Sequence, residues 1–279
     1  MNERLPVYEV YAIRYATRSG QRPDHFIGGD LHHGPMPMDY FVWAIIGPGG
    51  PFVVDVGFSA EVSDRRKRTY LRSPVDGLKL IGVDAAEVRD VIVTHLHYDH
   101  AGNFDCFPKA RFHLQEQELA YATGPYMQYP FMNHPFEIDD VTGVVRLNYR
   151  GRVAFHAGRA ELTPGLVLEL AGGHSAGLQF VRVHTRRGWL VLASDVMHYY
   201  ENLTSGRPFT TAFHVGDMLA GFSKLNAAAS DLLHIIPGHD PQVMRLFPAP
   251  RPALEGIVVR LDAEPIAGVD LPQTDMAGH

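Results

Sequence analysis

The sequence predicts an α/β fold from three observations. Short runs rich in β-branched and aromatic residues recur along the chain, and glycine and proline separate them, as is typical of strands. Two stretches, Gln115 to Ala122 and Val215 to Ala229, have helical composition. Several predicted strands end in small residues followed by a side chain that can bind a metal. At 279 residues, we expect one domain over residues 1–279.

The predicted strands are distributed along most of the chain. In order they are Val7 to Tyr15, Tyr40 to Ile46, Phe52 to Val56, Val88 to Thr94, Ala110 to Leu114, Leu166 to Leu170, Leu178 to His184, Trp189 to Ala193, Leu232 to Ile236 and Gly256 to Leu261. The segments Gly47 to Pro51 and Thr185 to Gly188 have turn composition and predict two hairpins.

Two segments, near residues 25–38 and 124–148, show little periodicity and are rich in proline, glycine, methionine and aromatic residues. Long irregular segments in a compact domain are usually functional loops, so we predict two lids. The large apolar side chains in question are Met36, Met38, Tyr126, Met127, Tyr129, Phe131, Met132 and Phe136. They either line a substrate pocket or pack a satellite core, and the sequence leaves both interpretations open.

Charge and cysteine content narrow the functional classes. The net charge is 25 − 31 = −6, which argues against a nucleic-acid partner. The basic run Arg65 to Arg68 is the local exception, and we interpret it as a solvated face in preference to a phosphate-binding patch. The single cysteine, Cys106, fits a reducing compartment. Without a leader-like pattern or a long apolar run, we expect a cytoplasmic protein that does not contact a membrane. The oligomeric state stays open, with a homodimer as one option.

The most informative segment lies directly after the apolar strand Val88 to Val93. There His95 and His97 are two positions apart, so in an extended chain their side chains point the same way. Asp99 and His100 follow on the turn and can address a second point nearby. Imidazole and carboxylate suit zinc and related ions. Burying so many polar groups is costly unless something satisfies them, so a metal site explains the pattern better than packing does.

Other strand ends supply further candidate ligands. His174 follows Gly172-Gly173, Asp195 follows Ser194, and His239 follows Pro237-Gly238, each after an apolar strand. Each position is weak evidence alone, but together with the first motif they predict one shared site. Asp55 ends another strand, and we expect it to orient a ligand histidine through the far nitrogen of its ring.

The motif His95-x-His97-x-Asp99-His100, followed in order by His174, Asp195 and His239, resembles the metallo-β-lactamase superfamily over roughly residues 40 to 240. The resemblance implies a four-layer αββα sandwich with the metal site at one edge of the sheets. It further implies two zinc ions, with manganese, iron or cobalt as alternatives. By similarity, His95, His97 and His174 hold the first ion, Asp99, His100 and His239 hold the second, and Asp195 bridges them.

Within that superfamily the chain looks most like the lactonases that open N-acyl-homoserine lactones, which implies a hydrolase with a role in quorum quenching. Such enzymes usually carry a tyrosine about three residues after the bridging aspartate, but here that residue is His198, followed by Tyr199 and Tyr200. We therefore expect His198 or Tyr199 to contact the substrate carbonyl and Asp99 to pass a proton to the leaving alkoxide. The expected attacking group is a hydroxide generated by the metals.

The expected substrate is a neutral or weakly charged lactone or ester with an apolar portion. A thioester hydrolase of the glyoxalase II kind is one alternative, although those enzymes add a basic helical C-terminal domain. A mononuclear iron persulfide dioxygenase is another, because it shares much of the first motif. A metal-binding protein without catalytic activity would keep the ligands and show no turnover.

Overall fold

Two β-sheets form the centre of the protein, whose structure is a computed structural model describing residues 5–269. The strands are β1 (Glu9–Arg18), β2 (Met38–Gly47), β3 (Gly50–Val54), β4 (Thr69–Tyr70), β5 (Asp90–Ile92), β6 (Arg111–Gln115), β7 (Val153–His156), β8 (Ala160–Thr163), β9 (Leu166–Leu170), β10 (Gln179–Thr185), β11 (Gly188–Ser194), β12 (Ile235–Pro237) and β13 (Val258–Arg260). The α-helices are α1 (Ala60–Arg65), α2 (Pro74–Lys79), α3 (Glu116–Ala122), α4 (Pro130–Asn133), α5 (Ile138–Tyr149), α6 (Tyr200–Ser205), α7 (Val215–Ala228) and α8 (Gln242–Leu246).

The first sheet has the order β13-β1-β2-β3-β5-β6-β7, with β4 paired to β1, and the second has the order β12-β11-β10-β9-β8. Strands β1, β2 and β3 are antiparallel, and both predicted hairpins are present. Strands β3, β5, β6 and β7 are parallel, as are β11 and β12. Parallel neighbours end at the same edge of a sheet, so the residues that follow them come together there.

Successive side chains along each strand point to opposite faces of its sheet, and this alternation produces the layers of the fold. Phe41 and Trp43 of β2 belong to the apolar cluster between the two sheets, whereas Val42 and Ala44 face the outer side of the first sheet. On that outer side they pack with helices α2 and α5. Helix α7 contributes Phe222 to the cluster of the second sheet. The predicted αββα sandwich is therefore confirmed.

The prediction that residues 124–148 are irregular is wrong for its second half, which forms helix α5. Val141, Val144 and Leu147 of α5 are buried against the first sheet at helical spacing. Ile138 and Tyr149 are also apolar but exposed, and they hide this periodicity in the sequence. Residues 25–37, by contrast, contain neither a helix nor a strand.

Three smaller elements also differ from expectation. Strands β7 and β8 were not predicted, because they are short and only half-buried. The predicted strand Leu232 to Ile236 begins as a 3-10 turn, since the Asp231 carboxylate accepts from the backbone N–H groups of Leu233 and His234. Within residues 5–269, no helix is both long and apolar enough to cross a membrane.

Candidate metal centre

Seven candidate ligands meet at the edge where the strands of both sheets end. His95, His97, Asp99 and His100 follow β5, His174 follows β9, Asp195 follows β11 and His239 follows β12. The backbone at these strand ends is unusual. Asp55 and Ser194 have φ of 60° and 47°, a left-handed conformation that is uncommon for residues other than glycine. Such outliers persist where the surrounding structure fixes them, as it does beside this site.

Four of the ligands, which we call the first ligand group, converge on one point. His97 Nδ1 lies 3.0 Å from His95 Nε2 and 2.9 Å from His174 Nε2. Asp195 Oδ2 lies 3.1 Å from His174 Nε2 and 3.7 Å from His95 Nε2. Tetrahedral zinc with bonds of about 2.0–2.1 Å separates its ligand atoms by roughly 3.3 Å. The spacing of the first ligand group is close to that value.

The second ligand group comprises Asp99, His100 and His239, together with the other oxygen of Asp195. Asp195 Oδ1 lies 3.3 Å from His100 Nε2 and 3.1 Å from His239 Nε2. Asp99 Oδ2 lies 3.7 Å from His100 Nε2 and 3.6 Å from His239 Nε2. The two oxygens of one carboxylate therefore face two separate sets of ligand atoms.

Hydrogen bonding indicates that these atoms suit a cation. His100 Nε2, His239 Nε2 and Asp195 Oδ1 are buried and lack a hydrogen-bond partner among residues 5–269, although they lie within ion-pair distance of one another. The other ring nitrogen of each histidine is held in place. His100 Nδ1 contacts Asp55 at 2.7 Å, and His239 Nδ1 contacts the Asp39 carbonyl at 2.9 Å. A contact at Nδ1 fixes the orientation of the ring, so that Nε2 points toward the position of a metal ion. The residues present therefore fit a pair of divalent ions.

The ionisation states of the candidate ligands also indicate a site for cations. Burial lowers the pKa values of His95 and His97 well below the usual range, so both are neutral imidazoles, the form that binds metals. Burial also lowers the pKa of His100, but Asp195, Asp55 and Asp99 outweigh it and hold that pKa well above its ordinary value. Several carboxylates share this small buried volume, and such a concentration of negative charge favours cations.

His198 contacts the ligands, whereas Tyr199 is engaged elsewhere. His198 Nε2 lies 3.1 Å from Asp195 Oδ2, and its ring stacks on Phe209 with centroids 3.6 Å apart. Burial lowers the pKa of His198 well below its usual range, so the ring is neutral. The Tyr199 hydroxyl donates to the Pro37 carbonyl at 3.2 Å. Of the two expected carbonyl contacts, His198 is the one beside the candidate ligands.

Glu118 is a functional residue that the sequence analysis did not identify. This fully buried carboxylate on α3 accepts from the Leu96 N–H at 2.8 Å and from the Gly177 N–H at 2.9 Å. Its second oxygen also accepts from the Ser175 hydroxyl. Glu118 thereby joins the loop carrying His95 and His97 to the loop carrying His174. Its sequence signal is weak, because an acidic residue on a predicted helix is ordinarily exposed.

A small cavity opens beside the first ligand group. Its lining residues are His97, Tyr121, Phe131, Met132, His134, Pro135, His174, Thr211 and Ala212. Phe131 and Met132 come from the segment that the sequence assigned to a lid. The side chain of Phe131 is 64% exposed, so it is not simply a core residue. The Met36 and Met38 side chains lie in a separate buried cluster with Tyr199 and Phe209.

This fold and this arrangement of ligands define the class of protein. Residues 37–239 match the family described as the metallo-beta-lactamase superfamily, and the chain belongs to it. It is 32% identical to an N-acyl homoserine lactonase of Rhizobium radiobacter over 103 residues, and 30% identical to one of Bacillus thuringiensis over 177 residues. The matches cover 32% and 57% of this chain but only 38% and 64% of those relatives, less than two thirds of either.

Solved structures show the same fold. A quorum-quenching N-acyl homoserine lactone lactonase superposes with a TM-score of 0.71 at 21% identity, covering 87% of this chain and 95% of that one. A probable metal-dependent hydrolase from Staphylococcus aureus gives 0.71 at 11% identity, covering 95% and 97%. A dizinc quorum-quenching lactonase with bound product gives 0.67 at 14% identity, covering 86% and 90%. At these identities the likeness is one of fold.

Proposed function

We propose that this protein is a metal-dependent hydrolase that opens a lactone or a related ester. The observation that carries the proposal is the pair of ligand groups joined by the two oxygens of Asp195. The relatives named as N-acyl homoserine lactonases support lactones as the substrate class, and with it a role in quorum quenching.

In this proposal the first ligand group holds one ion and the second holds another. His95, His97 and His174 belong to the first, Asp99, His100 and His239 to the second, and Asp195 bridges them. Zinc suits this set of imidazole and carboxylate ligands, with manganese, iron and cobalt as alternatives. When bound, such ions activate water at neutral pH and polarise a carbonyl.

The chain's own residues orient the substrate and move the proton. Asp99 lies at the second ligand group and keeps slight contact with solvent, so its carboxylate could take up the proton that the attacking water loses and pass it to the leaving alkoxide oxygen. The neutral His198 ring, held against Phe209, can donate a hydrogen bond from Nε2 to the carbonyl oxygen if Nε2 turns away from Asp195 Oδ2, 3.1 Å from it. Tyr199 would have to break its bond to Pro37 first.

The small cavity beside His97 and His174 marks where the apolar portion of a neutral or weakly charged substrate would enter, and the Phe131 and Met132 side chains would have to turn aside to admit it. Ligand sites are mostly apolar with few placed polar groups, and Phe131, Met132 and Pro135 provide such a lining. We place the acyl part there. A site for one metal ion does not need the second ligand group, so that group argues against a mononuclear dioxygenase. No observation favours a glutathione thioester as the substrate.

An assay panel on protein of known metal content tests the proposal. The panel comprises lactones of rising acyl length, simple aryl esters, a glutathione thioester and a phosphodiester. We expect turnover of lactones and a ratio near two ions per chain. A clear preference for the thioester or phosphodiester would overturn the lactone assignment, and a ratio fixed near one would overturn the dinuclear site. The cytoplasmic location stays a prediction for cell fractionation, and the oligomeric state, with a homodimer as one option, stays open for light scattering.

A further inference from the structure

Arg18, at the end of β1, has an unbalanced positive charge. Within residues 5–269 it forms no ion pair, and its buried Nε–H finds no acceptor. Arg14 on the same strand differs, since it donates to the Asp39 carboxylate at 3.2 Å and to the Gly256 carbonyl at 2.7 Å. Partly burying a guanidinium without a partner is unfavourable. Arg18 is therefore available to an anion from outside the chain.

A second arginine lies at the same end of this strand pair. Thr17 of β1 pairs with Thr69 of β4 in antiparallel register, so Arg18 and Arg68 occupy the next positions of the two segments. Arg68 donates from Nε to the Tyr98 hydroxyl at 2.9 Å and from Nη1 to a backbone carbonyl. It has no carboxylate partner within the part of the chain that the structure describes.

The other arginines of the basic run are occupied. Arg65 and Arg66 share the Glu137 carboxylate at 2.7 Å and 2.6 Å. Arg66 also lies over the Tyr98 ring, 4.0 Å from its centroid. The run is therefore not a uniform solvated face, and Arg68 is the member that keeps its charge without an acidic partner.

Both arginines lie near Tyr40, which packs against the second ligand group. Arg68 contacts the Tyr98 hydroxyl, which lies 3.2 Å from the Tyr40 hydroxyl, and the Tyr40 ring packs against His239 with centroids 5.2 Å apart. Arg18 pairs with Met38 in the register of β1 and β2, two positions before Tyr40 on β2.

We propose that Arg18 and Arg68 form an anion subsite beside the second ligand group, and that the substrate carries one carboxylate that binds there. The proposal rests on the proposed hydrolase function and makes its substrate a monoanion. Guanidinium pairs well with carboxylate through charge-assisted hydrogen bonds. Two arginines without a carboxylate partner, with the single Asp99 carboxylate near Arg68, match a single negative charge better than the double charge of a phosphate monoester.

The test compares two lactones of almost the same shape. One is a γ-butyrolactone bearing a carboxylate, and the other bears a carboxamide in its place. With metal-loaded protein we expect kcat/KM to favour the carboxylate, and Arg18→Gln to reduce that preference by about tenfold or more, since one charge-assisted hydrogen bond is worth about 1.5–3 kcal/mol. Arg111→Gln removes an exposed positive charge at the start of β6 and should leave the preference unchanged.

A binding measurement with analogues that are not hydrolysed tests the anion subsite independently of the proposed hydrolase activity. Cyclopentanone carboxylate and its carboxamide cannot be hydrolysed, so calorimetry measures their affinity for metal-loaded protein even if neither lactone turns over. Tighter binding of the carboxylate that is lost in Arg18→Gln, and largely kept in Arg68→Lys, would support the subsite. Equal binding of both analogues, or a preference that Arg18→Gln leaves intact, would overturn it. Tighter binding of a phosphate monoester would overturn the carboxylate assignment.

Discussion

The loops that carry the candidate ligands, which we call the ligand loops, and the segment that covers them differ in how deeply their side chains are buried. Every candidate ligand is buried, and so are the carboxylates of Asp55 and Glu118 that hold the loops. The cover segment, residues 124–134, exposes Tyr126, Tyr129 and Phe131 by 48%, 55% and 64%. In the proposed hydrolase, this difference would place the chemistry on a buried polar network and substrate selectivity on exposed apolar side chains.

The number of anchoring bonds explains the contrast. Asp55 accepts from the Thr94 N–H at 2.7 Å and the Thr94 hydroxyl at 2.8 Å, and it also contacts His100. Buried networks of this kind fix one conformation when every member is satisfied. The cover segment is held internally by the Asn133 amide, which donates to the Met127 carbonyl. Removing one polar group should therefore matter far more in the ligand loops than removing one aromatic ring in the cover.

The largest expected effect is that of Asp195→Asn. The substitution removes the charge that both ligand groups share, so we expect the metal content to fall from two ions to one or fewer per chain. We also expect kcat/KM for lactones to fall by about three orders of magnitude, since metal activation of water is lost. Elemental analysis and steady-state kinetics measure both. Asp105→Asn, at an exposed carboxylate, is the control, and a variant that kept both ions and most activity would exclude the bridging role.

Glu118→Gln should have the next largest effect. The amide cannot accept the three hydrogen bonds that the carboxylate accepts from Leu96, Gly177 and Ser175. Because the loops then lose their common anchor, we expect metal affinity to fall by about 10–100-fold, as for other residues that support ligands. A competition titration with a zinc chelator measures this. Glu116→Gln on the exposed face of the same helix is the matched control.

A purely structural role for Glu118 would give a different result. In that case the melting temperature would fall while the metal affinity of the folded variant stayed unchanged. That outcome would place Glu118 with the core and weaken the view that the ligand loops form one polar unit.

The same contrast explains what could be predicted from the sequence. His174, Asp195 and His239 were recognisable because each is a ligand-type side chain after an apolar strand, and strand ends are local features. Glu118 was not, because its role depends on how α3 packs between two loops that are distant in sequence. The bridging role of Asp195 was implied only by the resemblance, and the two sets of ligand atoms that its oxygens face become visible only in the folded structure.

Helix α5, which follows the cover segment, was harder to predict for a physical reason. Helix α5 carries exposed apolar residues beside its buried face, so the amphipathic pattern that reveals a helix is blurred. The predicted irregular backbone is present at residues 25–37, which contain neither a helix nor a strand, and their role as a lid stays a prediction. Predicting the strands succeeded mainly where they are fully buried, as in β2, and failed for the half-buried β7 and β8.

Substitutions in the cover should change selectivity more than stability. Phe131→Ala removes a wall of the cavity beside His97 and His174, and Tyr126→Ala removes a ring that packs near Phe213. We expect KM for long-chain lactones to rise by about three- to tenfold, because part of an apolar contact surface is lost, with little change in melting temperature. Tyr149→Ala, at an 89% exposed position at the end of α5, is the control.

The opposite pattern would favour a satellite core. If Phe131→Ala and Tyr126→Ala lowered the melting temperature and left KM unchanged for every chain length, the aromatic residues would serve packing alone. The cover segment would then be a packed part of the core, and the proposed difference between it and the ligand loops would not hold.

The smallest expected effect concerns Asp140, in the first turn of α5. Asp55 in the ligand loops is satisfied by hydrogen bonds, but the Oδ2 atom of Asp140 is buried without a partner among residues 5–269. Burial, followed by the negative charges of Glu137 and Asp139, raises the pKa of Asp140 to about 7. Because the folded-state pKa lies above the unfolded value, the protonated carboxyl stabilises the fold. This contribution is complete below about pH 4 and is lost as the pH rises through about 7.

Asp140→Asn should remove this dependence. The amide is uncharged at every pH, so we expect the variant to become more stable than the parent protein above pH 7, by about 1 kcal/mol or 2–4 °C, after allowing for partial solvent contact. Thermal unfolding of both proteins between pH 5 and pH 8 measures the difference, which should widen as the pH rises. Asp139→Asn, at the exposed neighbouring position, controls for the loss of one charge near the helix start. A constant difference across this range would mean that Asp140 is already ionised in the folded protein, and that helix α5 satisfies its buried carboxylate as well as the ligand loops satisfy theirs.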